Sequence, residues 1–257
     1  MFANYHTHTY RCQHASGSDR EYVEAAIETG LKVLGFSDHC PWVYQDKEFV
    51  SKIRMTPAQV DGYFSSLEGL KKEYEKDIRI YIGLECEHCL ELIEAQEQML
   101  SGYPLDYRIL GQHFLGVEKE VFYTGRRHEE VAFLKEYVDT VIDGIRSGKY
   151  LYVAHPDLVH YIGPDDIYRS EMGRLCEELK KADMPAELNL LGLAEGRQYP
   201  DRRFLEIAKN VGNPVILGID AHAPMQIRDR EVQQRAEELC KEYGLRIFDE
   251  DLLEGRS

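Results

Sequence analysis

The sequence lacks several features that would assign the chain to a familiar class. No stretch approaches the roughly 20 uninterrupted apolar residues of a membrane span, and the first residues lack the basic and apolar regions of a secretory signal peptide. The six cysteines are too scattered for a disulfide framework. We therefore expect a cytoplasmic protein with reduced thiols, in which the cysteines serve as packing residues.

Positive charge is also scarce. The chain has 31 Lys and Arg residues against 46 Asp and Glu residues, for a formal net charge of -15 at pH 7. A field of this sign repels polyanions, which argues against stable binding to nucleic acid or to an anionic membrane. The charge says nothing about oligomeric state, which stays open.

Two cofactor signatures are incomplete or missing. Cys86-Glu-His-Cys89 has no second CxxC, so it does not favour a zinc knuckle or a redox pair. No glycine-rich phosphate loop follows the first apolar segment, which disfavours a dinucleotide-binding fold. We also find no internal repeat or linker, and we expect one domain over residues 1–257.

What the chain does have is a regular alternation of short apolar runs with amphipathic segments, which is typical of βα units around a parallel sheet. We predict seven strands, at residues 2–6, 32–37, 79–84, 107–111, 150–154, 186–189 and 214–219. We predict seven helices, near residues 19–29, 57–75, 89–100, 129–147, 166–182, 201–210 and 229–242. This pattern predicts an α/β barrel, with a doubly wound open sheet as the alternative.

Three local features refine the prediction. Ser18 and Glu21 have the spacing of a capping box, and Gly30 is placed to end the same helix. Residues 245–248 could add an edge strand. The long irregular segment 41–56 is a candidate lid.

Histidines and carboxylates recur where the predicted strands end. The opening segment NYHTHTYRCQHASG carries three histidines, and later strands end in GFSDH, GLE, GQH, AHP and DAH. The carboxyl ends of parallel strands meet on one rim of a barrel, so these residues converge. They are ligand types for zinc, iron or manganese. The candidate ligands are His6, His8, His14, His39, Glu85, His113, His155, Asp220 and His222.

Nine candidates are too many for one ion, which binds four to six donors. A multinuclear centre follows, with Glu85 as the natural bridge because a carboxylate has two oxygens to share. Residues two apart on an extended chain point the same way, so His6 and His8 can act together, as can Asp220 and His222. Three other histidines do not follow predicted strands and are taken as structural: His88, His128 and His160.

This ordered motif set resembles the polymerase and histidinol phosphatase (PHP) superfamily. The resemblance implies a distorted (β/α)7 TIM-like barrel with three divalent metal ions. It assigns His6, His8, Glu85 and Asp220 to one metal. It assigns Glu85, His113 and His155 to the second, and His14, His39 and His222 to the third.

The opening segment, AELNLLGL and YPDRRFLEIA are most similar to the stand-alone histidinol-phosphate phosphatases of histidine biosynthesis. The resemblance thus implies hydrolysis of a small phosphate monoester, and we hypothesise attack by a metal-bridging hydroxide. Another small ester, a nucleotide or a phosphotyrosine is an alternative substrate. A noncatalytic metal-binding protein is the alternative of another class.

Several further side chains are candidates for roles around the metals. Glu85 and Asp220 would be catalytic, and Arg197, which follows the sixth strand, would assist as a cation that also binds the phosphate. Arg54, in the candidate lid, is a weaker candidate for the same role, and Asn189 could contact the phosphate or the substrate. We expect Asp38 to orient a ligand, and three residues could line the outer pocket: Glu195, Tyr10 and Trp42.

Overall fold

The computed structural model describes residues 1–254 as a curved parallel sheet surrounded by helices. Four strands pair in the order β1 (Ala3–Asn4), β2 (Val33–His39), β3 (Arg79–Cys86) and β4 (Tyr107–Leu110). Farther along the chain, β7 (Ala186–Asn189) pairs with β8 (Val215–Gly218). All these pairings are parallel.

Single bridges join these two groups of strands into a ring. Val153 bridges Leu110 on one side and Ala186 on the other, which makes residues 150–154 the fifth member of the sheet. Thr7 bridges Ala221 and so connects the first strand to the last. The seven predicted strands are therefore all present in the predicted order, as a distorted (β/α)7 TIM-like barrel.

The helices follow the predicted segments closely. They are α1 (Asp19–Thr29), α2 (Val60–Glu73), α3 (Leu90–Leu100), α4 (Val131–Arg146), α5 (Asp165–Lys181), α7 (Arg202–Val211) and α9 (Arg230–Tyr243). Short elements not predicted are β5 (Arg127–His128), which pairs with β6 (His160–Tyr161), and the helices α6 (Leu190–Glu195) and α8 (Pro224–Arg228). Two 3-10 turns, Tyr10–Cys12 and Pro57–Gln59, complete the set.

Local sequence explains where these elements begin and end. The Ser18 side chain accepts from the Glu21 amide while Glu21 binds the Ser18 amide, and Gly30 ends α1 with φ 83°, so the predicted capping box and C-cap are confirmed. Residues 245–248 add one parallel bridge, from Ile247 to Val215. Every residue of β2 is buried, as expected for a parallel strand covered on both faces.

The core lies between the sheet and the helices. Buried apolar side chains of the strands and of the long helices form one cluster, which includes Leu34, Ile80 and, from α2, Phe64 and Leu67. Within residues 1–254, we find no helix that combines the length and apolar character needed to cross a membrane. The carboxyl ends of the strands are left to carry polar side chains on one rim.

Candidate metal centre

Glu85 is the midpoint of a cluster that contains all nine predicted ligands. Its carboxylate is 1% exposed. His155 Nε2 lies 2.9 Å from Glu85 Oε1, and His39 Nδ1 lies 3.0 Å from Oε2. Three further imidazoles come within 3.5 Å of the carboxylate, those of His6, His8 and His113.

Asp220 faces the same cluster from the loop after β8. Its Oδ1 lies 3.1 Å from His8 Nε2 and 3.4 Å from His6 Nε2. The donors form overlapping triplets in which all ligand atoms lie within 4.8 Å of one another, among them His6–His8–Glu85, His6–His155–Asp220 and His39–Glu85–His113. Such spacing lets neighbouring ions share ligands.

His14 and His222 form the outer corner of the cluster with His39. His14 Nδ1 donates to the Cys12 carbonyl at 2.8 Å, and His222 Nδ1 donates to the Asp220 carbonyl at 2.9 Å. These bonds aim both Nε2 atoms at each other, 3.0 Å apart. His39 belongs to this triplet and also to the one around Glu85, so it lies between two groups of donors.

The chemistry of the donor set fits divalent metals. His6 Nε2, both ring nitrogens of His8 and both oxygens of Glu85 are buried without a hydrogen-bond partner. Buried polar atoms in native proteins nearly always have a partner, and imidazole nitrogens and carboxylate oxygens are the atoms that zinc, iron and manganese bind. Metal ions would satisfy these atoms together.

The two central carboxyl groups are held in their ionised form. Burial raises the pKa of Glu85, but the nearby His113 and His6 outweigh it and hold that pKa well below its usual range. Asp220 behaves in the same way: burial raises its pKa, and His6 and His8 lower it well below normal. Burial, followed by the charge of His8, lowers the pKa of His222 to about 3, which keeps that ring neutral. Metal binds anionic carboxylates and neutral imidazoles. Burial lowers the pKa of His6, but Glu187 and Asp220 outweigh it and raise that pKa well above its usual range, so His6 must release a proton when metal binds.

Glu187 of β7 is a functional residue that the sequence analysis missed. Its Oε1 accepts from His6 Nδ1 at 2.8 Å, and its Oε2 accepts from the His155 amide at 2.9 Å. The bond to His6 fixes the tautomer in which Nε2 faces Glu85 and Asp220. The available signal was a carboxylate within a buried strand, two residues before Asn189.

Asp38 and Cys12 also adjoin the ligands. Asp38 Oδ1 accepts from the His39 amide at 2.8 Å and lies 3.5 Å from His8 Nδ1, so it adjoins both ligands. Cys12, taken as a packing residue, is buried but forms a ligand-spaced triplet with His8 and His222.

Close approach of carboxylates explains two motif glycines. A Cβ on Gly111, in GQH, would overlap Glu85 Oε1, and one on Gly218 would overlap Glu187 Oε1. The backbone is also unusual at two predicted ligands, since His155 and Asp220 have φ of 31° and 54°. Non-glycine residues rarely adopt such angles, and those that do cluster at functional sites.

A cavity of about 500 Å³ opens above the cluster. Its floor includes Glu85, and its wall includes Arg197, Glu195 and Tyr199. Arg197 pairs with Glu195 at 2.6 Å and donates to the Tyr199 hydroxyl at 2.8 Å. A cation thus borders the ligand cluster, as the position of Arg197 after the sixth strand predicted.

Arg54 and Asn189 were predicted to contact the substrate, but neither residue lines this cavity. Arg54 is 1% exposed and is occupied by two carboxylates, Glu87 and Glu118. The Asn189 amide donates to Glu187 and Asp220, and its oxygen caps α6 by accepting from the Gly192 amide. Asn189 therefore supports the predicted ligand Asp220 and caps the start of α6.

Of the three residues predicted to line the outer pocket, only Glu195 lies in this cavity, and the candidate lid reaches it at one residue. Glu195 lines the cavity, whereas Tyr10 is exposed on another face and Trp42 is buried beside Cys89 and Leu92. Segment 41–56 packs as an irregular loop, of which Ile53 reaches the cavity wall. The segment therefore contributes one apolar side chain to the pocket.

Fold and site define an α/β barrel with a histidine- and carboxylate-rich centre on its carboxyl rim. The PHP domain model matches residues 4–190, and the chain belongs to the PHP domain family. A probable histidinol-phosphatase of Deinococcus radiodurans is 27% identical over 86% of this chain and 86% of its own length. The histidinol-phosphatase of Bacillus subtilis is 28% identical over 84% of this chain and 92% of its own length.

A solved structure shares the fold. The histidinol phosphate phosphatase of Lactococcus lactis, complexed with zinc, L-histidinol and phosphate, superposes with a TM-score of 0.70 at 20% identity. The match covers 96% of this chain and 95% of the other. It therefore extends beyond residues 4–190, the part matched by the family model.

Proposed function

We propose that the chain is a single-domain, metal-dependent phosphomonoesterase that hydrolyses L-histidinol phosphate to L-histidinol and phosphate, a step of histidine biosynthesis. One observation carries the proposal: eight candidate ligands converge with Glu85 at a cavity that Arg197 also lines. The histidinol-phosphatase relatives support the same activity.

We infer three divalent metals, zinc, iron or manganese, held as the superfamily resemblance assigns them. Divalent metals in this position supply an acidified water and positive charge for the phosphoryl oxygens. Glu85 is the shared ligand because both of its oxygens are unpartnered and face imidazoles. Asp220 is anchored through Oδ2 by Asn189, which leaves Oδ1 directed at His6 and His8.

The cavity wall suits the organic part of this substrate. Arg197 can bind a phosphate oxygen through its guanidinium. Glu195 offers an anion to the amine or imidazole, and Tyr123, Phe114 and Leu191 line the wall with aromatic and aliphatic surface. A volume of about 500 Å³ falls in the range of small-molecule sites.

A panel of phosphate esters tests the substrate. Histidinol phosphate should be hydrolysed with a higher kcat/KM than p-nitrophenyl phosphate, nucleotides or a phosphotyrosine peptide. Comparable rates on all of them would contradict the assignment. A noncatalytic metal-binding protein would bind metal yet release no phosphate.

Replacing Arg197 with methionine should raise KM for histidinol phosphate about 10- to 100-fold, because a charge-assisted hydrogen bond contributes about 1.5–3 kcal/mol. Steady-state kinetics measure the change. Arg203→Met is the matched control, since Arg203 pairs with Asp201 outside the cavity. An unchanged KM in the Arg197 variant would remove the residue from substrate binding.

Replacing Glu187 with glutamine should weaken zinc binding about 10- to 100-fold, because the ligand His6 loses its charged hydrogen-bond acceptor. Competition with a chromogenic chelator measures the zinc affinity. Glu171→Gln is the control, since Glu171 is also buried but pairs with Arg174 on α5. Equal zinc affinity in both variants would show that Glu187 does not support the centre.

A further inference from the structure

Glu87 is a buried carboxylate that joins a metal ligand to a distant segment of the chain. It lies just after β3, two residues beyond Glu85, and is 2% exposed. Its Oε1 lies 3.2 Å from His113 Nδ1. On the other side of the ring, His113 Nε2 lies 3.5 Å from Glu85 Oε1. Glu87 is therefore hydrogen-bonded to one nitrogen of the His113 ring, and Glu85 faces the other.

Two residues of segment 41–56 donate the other hydrogen bonds that Glu87 accepts. Arg54 donates to both oxygens, from Nη2 to Oε1 at 2.9 Å and from Nη1 to Oε2 at 3.0 Å. Trp42 Nε1 donates to Oε2 at 3.1 Å. This fork-to-fork geometry fixes the plane of the carboxylate as well as its position.

The segment is held by a second carboxylate that does not touch the ligands. Glu118 accepts from Arg54 Nε at 2.9 Å, from Tyr44 at 2.9 Å and from Ser51 at 2.9 Å. Arg54 thus lies between two acidic groups, of which only Glu87 contacts a ligand of the proposed centre. Glu118 therefore bears on the packing of the segment, whereas Glu87 also bears on the orientation of His113.

We propose that Arg54 and Glu87 are a positioning pair that holds His113 with Nδ1 protonated and Nε2 directed at the metals. Glu87 accepts the Nδ1 proton, and Arg54 and Trp42 fix the carboxylate that accepts it. The packing of segment 41–56 against the barrel is thereby coupled to the geometry of one ligand. This inference rests on the proposed metal centre but not on the identity of the substrate.

Metal binding by the full chain tests the pair without substrate. The chelated protein is titrated with Co²⁺, and the cobalt absorption band and the dissociation constants from chelator competition are recorded. Glu87→Gln should weaken at least one Co²⁺ about 10- to 100-fold and alter the absorption band. Its fold should persist because Arg54 keeps Glu118 as a partner. Glu118→Gln is the matched control. Its Co²⁺ affinity should stay within about threefold of the parent, a difference of under 1 kcal/mol, because only Glu87 of the two carboxylates contacts His113.

A neutral double variant, Arg54→Met with Glu87→Gln, keeps the test decisive if the single variant does not fold, because it removes one cation and one carboxylate together, and Glu118 keeps Tyr44 and Ser51 as hydrogen-bond donors. It should show the same loss of cobalt affinity. Affinity within threefold of the parent in the folded Glu87 variants would overturn the pair. An equal loss in Glu118→Gln would also overturn it, since the effect would then come from the segment in general. A parent chain that binds no Co²⁺ would overturn the metal centre itself.

Discussion

Replacing Glu85 with glutamine should lower kcat/KM for histidinol phosphate by at least about 10³-fold, because several kcal/mol of transition-state stabilisation depend on the shared metals. An amide has one oxygen, so it cannot take the place of a carboxylate between two groups of ligands. Both oxygens of Glu85 face imidazole nitrogens at 2.9–3.0 Å. Phosphate release under steady-state conditions measures the loss.

The fold of this variant should survive, because the substitution keeps the volume of the side chain and removes one buried charge. Metal analysis of the same preparation separates loss of binding from loss of chemistry. Glu171→Gln again serves as the control for a buried carboxylate away from the centre. Retention of more than a tenth of the parental kcat/KM with full metal would contradict the bridging role.

Exhaustive removal of metal should abolish phosphate release and lower Tm by about 10 °C. A ligand present at 1,000 times its Kd stabilises a fold by about 4 kcal/mol, and 1 kcal/mol shifts Tm by about 2–4 °C in a protein of this size. The stripped cluster leaves buried nitrogens and oxygens without partners, among them His6 Nε2 and His8 Nε2. Thermal unfolding with and without added zinc measures the shift.

Activity should return when zinc, iron or manganese is added back, but not with Mg²⁺, which prefers all-oxygen ligands. Recovery should require more than one equivalent of metal per chain. Full activity in the stripped protein would contradict a metal-dependent mechanism. An unchanged Tm would show that the cluster is satisfied without metal.

Much of the fold could be predicted from the sequence, because long helices and strands leave a periodic pattern of apolar residues within their own segment. Predicted helix bounds lie within three residues of the observed ones, as for 19–29 and α1 or 129–147 and α4. The short elements β5, β6, α6 and α8 were missed, because none of them is long enough to show a period of its own. Their positions depend on tertiary contacts.

The cluster of candidate ligands could also be predicted, because strand ends of a parallel barrel converge whatever the details of packing. The direction in which each side chain points could not be predicted from the sequence. Asn189 stands at a strand end, yet it turns toward Glu187 and Asp220, and Arg54 is drawn inward by Glu87. Glu187 and Glu87 escaped notice because their role depends on which ring nitrogen they face, and that is a property of three-dimensional placement.

Metal content and activity measured on one preparation test the central claim most directly. Elemental analysis of the purified chain is combined with phosphate release from histidinol phosphate. The account predicts three divalent metals per chain in the fully active protein. Fewer than two metals per chain at full activity would contradict a multinuclear centre built on Glu85.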